Sequence, residues 1–183
     1  MIRNHRSLSA IQAAQEAAQA DGKTGYKFTL HFPSYMPVLQ YGEKRELREL
    51  LYRAYATRAS EFGKTEWDNT NLISEILKLR LEAAKLLGFK NYAEMSLATK
   101  MADTPKEVIA FLDNLAQRAK PFAQQDMKEL TEYAKKLSIN DMQAWDVAFV
   151  SEKLREEKYA FSDQEVKQYF PETQVLAGLF TDL

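Results

Sequence analysis

Apolar and polar positions along this chain follow two periods. From Tyr26 to Phe32 they alternate, with Tyr26, Phe28, Leu30 and Phe32 on one side and Lys27, Thr29 and His31 on the other. A period of two predicts a half-buried β-strand near residues 26–32. Pro33 and Pro37 close the run, so Pro33 to Pro37 reads as a fixed, extended turn. No second run reads as a strand, which leaves this one without a partner for its backbone groups.

Everywhere else the period is helical. Ser7 to Asp21 is rich in Ala and Gln and carries only a thin apolar stripe, before a turn bracketed by Gly22 and Gly25. Leu47, Leu50, Leu51, Ala54, Tyr55 and Phe62 keep helical spacing, with Gly63 as the stop. Ile73 to Leu87 predicts a further helix capped by Gly88. Asn91 with Glu94, and Thr104-Pro105-Lys106-Glu107, are helix-start signals. Pro121 should kink or end the helix that starts at Pro105. Helical spacing continues to about Leu137, Ser138 to Met142 is a loop, and Trp145 to Tyr159 is helical again. Ser162 with Glu165 is another capping box, and Val175, Leu176, Leu179 and Phe180 open a last amphipathic helix. The expected fold class is mainly α with one short strand, as a single helical region over residues 1–183.

Composition narrows the chemistry. The chain has 183 residues, 45% hydrophobic and 28% charged, with only 6 Gly and 5 Pro, which suits a helical globular protein of about one domain. Its 25 basic and 26 acidic residues leave a net charge of −1, so no broad positive field exists to draw nucleic acid or anionic lipid. No apolar run approaches the ~20 residues needed to cross a bilayer. Met1 to Ala20 has no signal-like apolar stretch, and cytoplasmic residence is the expectation. The absence of cysteine excludes disulfides, thiolate zinc sites and a cysteine nucleophile.

Only two histidines are present, His5 and His31, on separate elements, so the His-Glu-x-x-His of zinc hydrolases cannot be formed. Both read as surface residues. Glu152, Glu156 and Glu157 form an acidic cluster, but Lys153, Arg155 and Lys158 interleave with it, predicting a solvated, salt-bridged helix face. Tyr35, Tyr41, Tyr52, Tyr55, Tyr133, Tyr159 and Tyr169 could line a peptide cleft, although the boundary of a helical core is the favoured reading for each.

Several segments carry a family likeness. Tyr26 to Leu39, Leu86 to Tyr92, Leu97 to Ala102, Ala144-Trp145-Asp146 with Phe149, Ser151 to Glu156, Tyr169-Phe170-Pro171 and Gly178-Leu179 follow one another in order and register. From about residue 24 onward the chain resembles the oligopeptidase A and thimet oligopeptidase family of zinc metallopeptidases. The resemblance implies a mainly α-helical fold with a deep channel, and hydrolysis of short peptides at a zinc held by His-Glu-x-x-His and a later Glu. None of those catalytic or metal residues falls on a position of this chain. Its expected part is scaffold and channel wall, with no catalytic residue, no bound zinc and no assigned substrate-binding residue. One departure is Val150, where the family tends to carry tyrosine; a hydroxyl facing the channel would be missing here.

The resemblance also explains the lone strand and the last helix as parts of a larger protein. The isolated chain is then expected to be inactive, and to self-associate through the strand or the terminal helix. A rival reading is a non-enzymatic helical module that grips a partner helix or peptide in an apolar groove.

Overall fold

The computed structural model describes residues 8–160, 166 and 168–181. Helices dominate, in the order α1 (Leu8–Ala20), α2 (Phe32–Tyr41), α3 (Arg45–Ala56), α4 (Thr70–Leu86), α5 (Tyr92–Leu97), α6 (Pro105–Lys136), α7 (Val147–Tyr159) and α8 (Glu172–Thr181). The mainly α expectation holds. Two compact units share the chain, one from residues 1–53 with 130–183, the other from residues 54–129.

The expected strand near residues 26–32 does not form. Among the described residues there is no strand, and Phe32 is already the first residue of α2. An alternating run needs a neighbouring strand to satisfy its backbone, and the chain supplies none. Its amides are met locally instead. The Lys27 N–H donates to the Ala14 carbonyl of α1 (2.9 Å), and the Thr29 N–H donates to Ser34 Oγ (2.9 Å). Tyr26 and Phe32, expected on a buried face, are 61% and 68% exposed.

The Pro33–Pro37 segment is likewise helix rather than extended turn. Pro33 lies in the first helical turn, where no amide partner is needed, and Pro37 forgoes one bond. Tyr35, Val38 and Leu39, spaced i, i+3, i+4, are buried. Gly42 closes α2 where a Cβ would run into the Val38 carbonyl oxygen.

In the first unit α2 packs on α7, and α1 packs on α2 with Ala14 and Ala18 buried. Tyr133, Ala134 and Val150 form the core cluster, flanked by Leu130, Leu137, Ile139, Met142, Phe149 and Leu154. The turn into the loop after α6 is sealed by Ser138 at φ 62° and by the Ile139 N–H on the Ala134 carbonyl (2.9 Å).

A polar staple closes the same unit. Asp146 is fully buried and Arg48 is 1% exposed. Arg48 Nη2 donates to Asp146 Oδ1 (2.8 Å), Arg45 Nη2 donates to Oδ2 (2.7 Å), and Arg45 Nε reaches both oxygens (3.2 and 3.0 Å). Arg45 and Arg48, one turn apart, therefore aim at one carboxylate. The Gln143 N–H adds a further bond to Oδ2 (3.0 Å). Spare guanidinium donors bind the Gly42 and Asp141 carbonyls (2.6 Å each), and Arg48 lies over the Phe149 ring at 4.2 Å.

In the second unit the helix-start signals act as the sequence predicts. The Glu94 N–H donates to Asn91 Oδ1 (2.9 Å), the Glu107 N–H to Thr104 Oγ1 (3.1 Å), and the Asp103 N–H returns to Glu107 Oε2 (3.0 Å). Gly88, at φ +82°, ends α4 as expected, with the Phe89 N–H on the Ala84 carbonyl (2.9 Å). One helix boundary differs from expectation. The helix expected to reach Gly63 stops at Ala56, because Ala59 turns left-handed (φ 58°) and Ser60 Oγ binds the Thr57 carbonyl (2.8 Å). Pro121 does not end α6, which runs through it for 32 residues. The Ser162–Glu165 capping box lies outside the described residues.

The staple sets a pH dependence. Burial pushes the Asp146 carboxyl up, but the hydrogen bonds from Arg45, Arg48 and the Gln143 amide outweigh it and hold the group below the usual carboxylate range. A carboxylate depressed on folding contributes stability above its unfolded value of about 3.9, and that stability is lost as pH falls through the folded value. Asp146→Asn is expected to cost about 3–5 kcal/mol at neutral pH, since it strands a buried guanidinium. Urea unfolding across pH 2 to 7 checks both points: the variant should lose less stability than the wild type as the solution is acidified.

Candidate functional site

Helix α7 is two-faced. Val150 and Leu154 turn toward Tyr133 and Ala134, while Val147, Ala148, Ser151, Glu152 and Arg155 share the opposite side. Met36 and Gln40, one turn apart on α2, stand across from them, and Ala144 closes one end. These residues line a cavity of about 450 Å³. It lies wholly within the first unit.

Small side chains make the space. Ala144, Ala148 and Ser151 fall where larger residues would fill the gap between α2 and α7. The polar part of the wall is an ion pair. Glu152 is 4% exposed, and both its oxygens accept from Arg155 Nη2 (2.9 and 2.6 Å). Of the expected solvated, salt-bridged face, the salt bridges form, but Glu152 is not solvated. Glu152 is buried and Lys153 pairs with Glu156 (3.5 Å), while Glu157 meets Lys136 (3.4 Å) near the surface. A charge cannot be left alone at such depth, so the i, i+3 pairing is a condition of burial.

The other candidates separate. His31 is exposed beside the start of α2, and His5 lies outside the described residues. Tyr35 and Tyr133 are buried, while Tyr159 and Tyr169 are largely exposed, so the tyrosines do not line one cleft. The Tyr133 hydroxyl donates to the Lys153 carbonyl (3.2 Å), and burial, with Glu157 and Glu156 nearby, raises its pKa to about 12. It stays protonated at neutral pH and serves as a donor. Val150 is fully buried in the core, so its side chain faces no channel.

Among the described residues no three His, Asp or Glu side chains converge to hold a metal. The residues present do not fit the zinc that the resemblance implies, and no hydrolytic step is derived on them. What the arrangement can do is bind: a half-apolar cavity with a hydroxyl, an amide and an ion pair on its wall. Reading Pro33–Pro37 as a turn hid Met36 and Gln40. The spacing of Val147, Ala148, Ser151, Glu152 and Arg155 was available as a signal but looked like an ordinary charged helix face.

The sequence is similar to known proteins. The model of peptidase family M3 matches residues 38–182. Over 175 residues, 94% of this chain, it is 53% identical to an oligopeptidase A of Haemophilus influenzae and 46% identical to one of Escherichia coli, covering 26% of each. A probable cytosolic oligopeptidase A of Arabidopsis thaliana is 44% identical over 176 residues, covering 94% of this chain and 24% of that protein. The chain thus spans about a quarter of the length of the curated relatives it matches.

Removing Arg155 would leave the Glu152 carboxylate buried and uncompensated. Arg155→Met is expected to cost about 1–3 kcal/mol, and adding Glu152→Gln should recover part of that loss. Chemical denaturation of both single variants and the double variant gives the coupling. Strictly additive losses would show that the pair is not a unit.

Proposed function

The chain belongs to peptidase family M3, and on that premise we propose that it forms part of a zinc oligopeptidase that hydrolyses short peptides in the cytoplasm. The observation that carries the reading is the 53% identity over nearly the whole chain to a protein named oligopeptidase A. The role proposed for these residues is scaffold and a stretch of peptide-channel wall. The packing of α2 on α7, with α3 tied to them by Arg45 and Arg48, supports the first part, and the cavity between α2 and α7 supports the second. Zinc, in this reading, is held by residues other than those described here. When bound it supplies an activated water and polarises the peptide carbonyl.

The cytoplasmic part of the proposal is supported by the probable cytosolic relative. No helix among the described residues is long and apolar enough to cross a membrane.

The test uses the protein expressed from its full reading frame. Peptides of five to fifteen residues should be cut at internal bonds. A chelator should abolish the activity and added zinc should restore it. Hydrolysis that ignores the chelator, or no hydrolysis across a varied peptide panel, overturns the reading.

A further inference from the structure

The α2–α7 cavity has a selectivity written into its wall. Its volume of about 450 Å³ lies in the ~300–1,000 Å³ range of small-ligand sites. Met36, Val147 and Ala148 supply apolar surface, while Gln40 and Ser151 supply groups that can bond a peptide amide. The two charges on the wall cancel each other, because both Glu152 oxygens are already held by Arg155. A charged group entering here would lose its hydration to a wall that carries no net charge. An uncharged apolar side chain would lose only unfavourable contact with water.

We propose that this cavity is a subsite for one large, uncharged, apolar side chain of a bound peptide, with Gln40 and Ser151 at hand for its backbone amides. The proposal rests on the reading of this face as channel wall. It adds the class of side chain taken there and the residues that select it.

The probe is a capped pentapeptide, glycine at four positions and p-benzoylphenylalanine in the centre, added to the full-length protein and irradiated. Benzophenone inserts into nearby C–H bonds, and peptide mapping by mass spectrometry locates the adduct. The expected result is an adduct on Met36 or Val147. The same peptide with central Phe should suppress it at concentrations at least about tenfold lower than peptides with central Lys or Glu. Ala148→Phe, which fills the cavity from α7, should remove the adduct, and Met36→Phe, filling it from α2, provides the same test should the first variant fold poorly. Adducts confined to other segments, or equal competition by all three peptides, overturn the subsite. Cavity adducts in a protein that cuts no peptide would leave the subsite standing and overturn the peptidase reading, so the two failures are distinguishable.

Discussion

A single buried carboxylate holds the first unit together. Asp146 carries its charge at zero exposure, and that is tolerable only because two guanidiniums and a backbone amide meet its two oxygens. The requirement propagates outward. Arg45 and Arg48 must stand on one face at the start of α3, which fixes where that helix begins. Arg48 must also reach the Gly42 carbonyl, which ties the end of α2 to the same point. Phe149, one turn into α7, lies flat beneath Arg48. Three helices are therefore registered against one group. The negative charge also sits at the N-terminus of α7, where the helix dipole favours it.

That registration makes the cavity possible. With α2 and α7 held from the Asp146 end, small residues at Ala144, Ala148 and Ser151 need not be pressed into contact with α2. Tight apolar packing alone would draw the helices together until such a gap closed. The staple limits that freedom, since sliding α2 would cost the buried Arg48 bond to the Gly42 carbonyl. Glu152 repeats the logic on a smaller scale. It is a carboxylate kept inside by a guanidinium one turn away, and it gives the wall polarity without net charge.

The helical period was legible over most of the chain, because the capping residues at Asn91, Thr104 and Gly88 act through contacts three to five residues away. Such contacts are encoded where they occur. The strand at Tyr26–Phe32 misled because alternation is half of a signal. The other half is a neighbour, and this segment finds hydrogen bonds on α1 and Ser34 instead. α2 was obscured by its own prolines, although Pro33 stands in the first turn, where no bond is lost, and Pro37 gives up one ladder bond without ending the helix. The staple could not be read at all. Its partners lie about a hundred positions apart, and nothing local distinguishes Arg45 from Arg53, which pairs with Glu49 on its own helix at the surface. The cavity shared that fate, being a joint property of Met36 and Ser151. The family likeness located the Trp145-Asp146 segment without revealing that Asp146 is its structural centre.

The two units differ in what resists opening. In the first, buried charge, a tyrosine with a satisfied hydroxyl and a small aliphatic cluster reinforce one another. In the second, Ala84 is the one buried apolar residue among those described. In the chain by itself its larger apolar residues are open: Ile73, Ile76 and Leu77 on α4 are 46–59% exposed, and Ile109, Phe111 and Leu112 on α6 are 51–62% exposed. Caps worth about 1 kcal/mol apiece then carry a large share of its local order. Burial of a large apolar side chain contributes about 1.5–3 kcal/mol, and here that contribution is mostly unrealised. In the isolated chain, local opening should accordingly begin in residues 54–129 while the Asp146 region is still closed, read as faster amide hydrogen exchange there. The carboxylate that fixes the cavity thus also sets the order in which the chain comes apart, because helices held by a shared buried charge must release together.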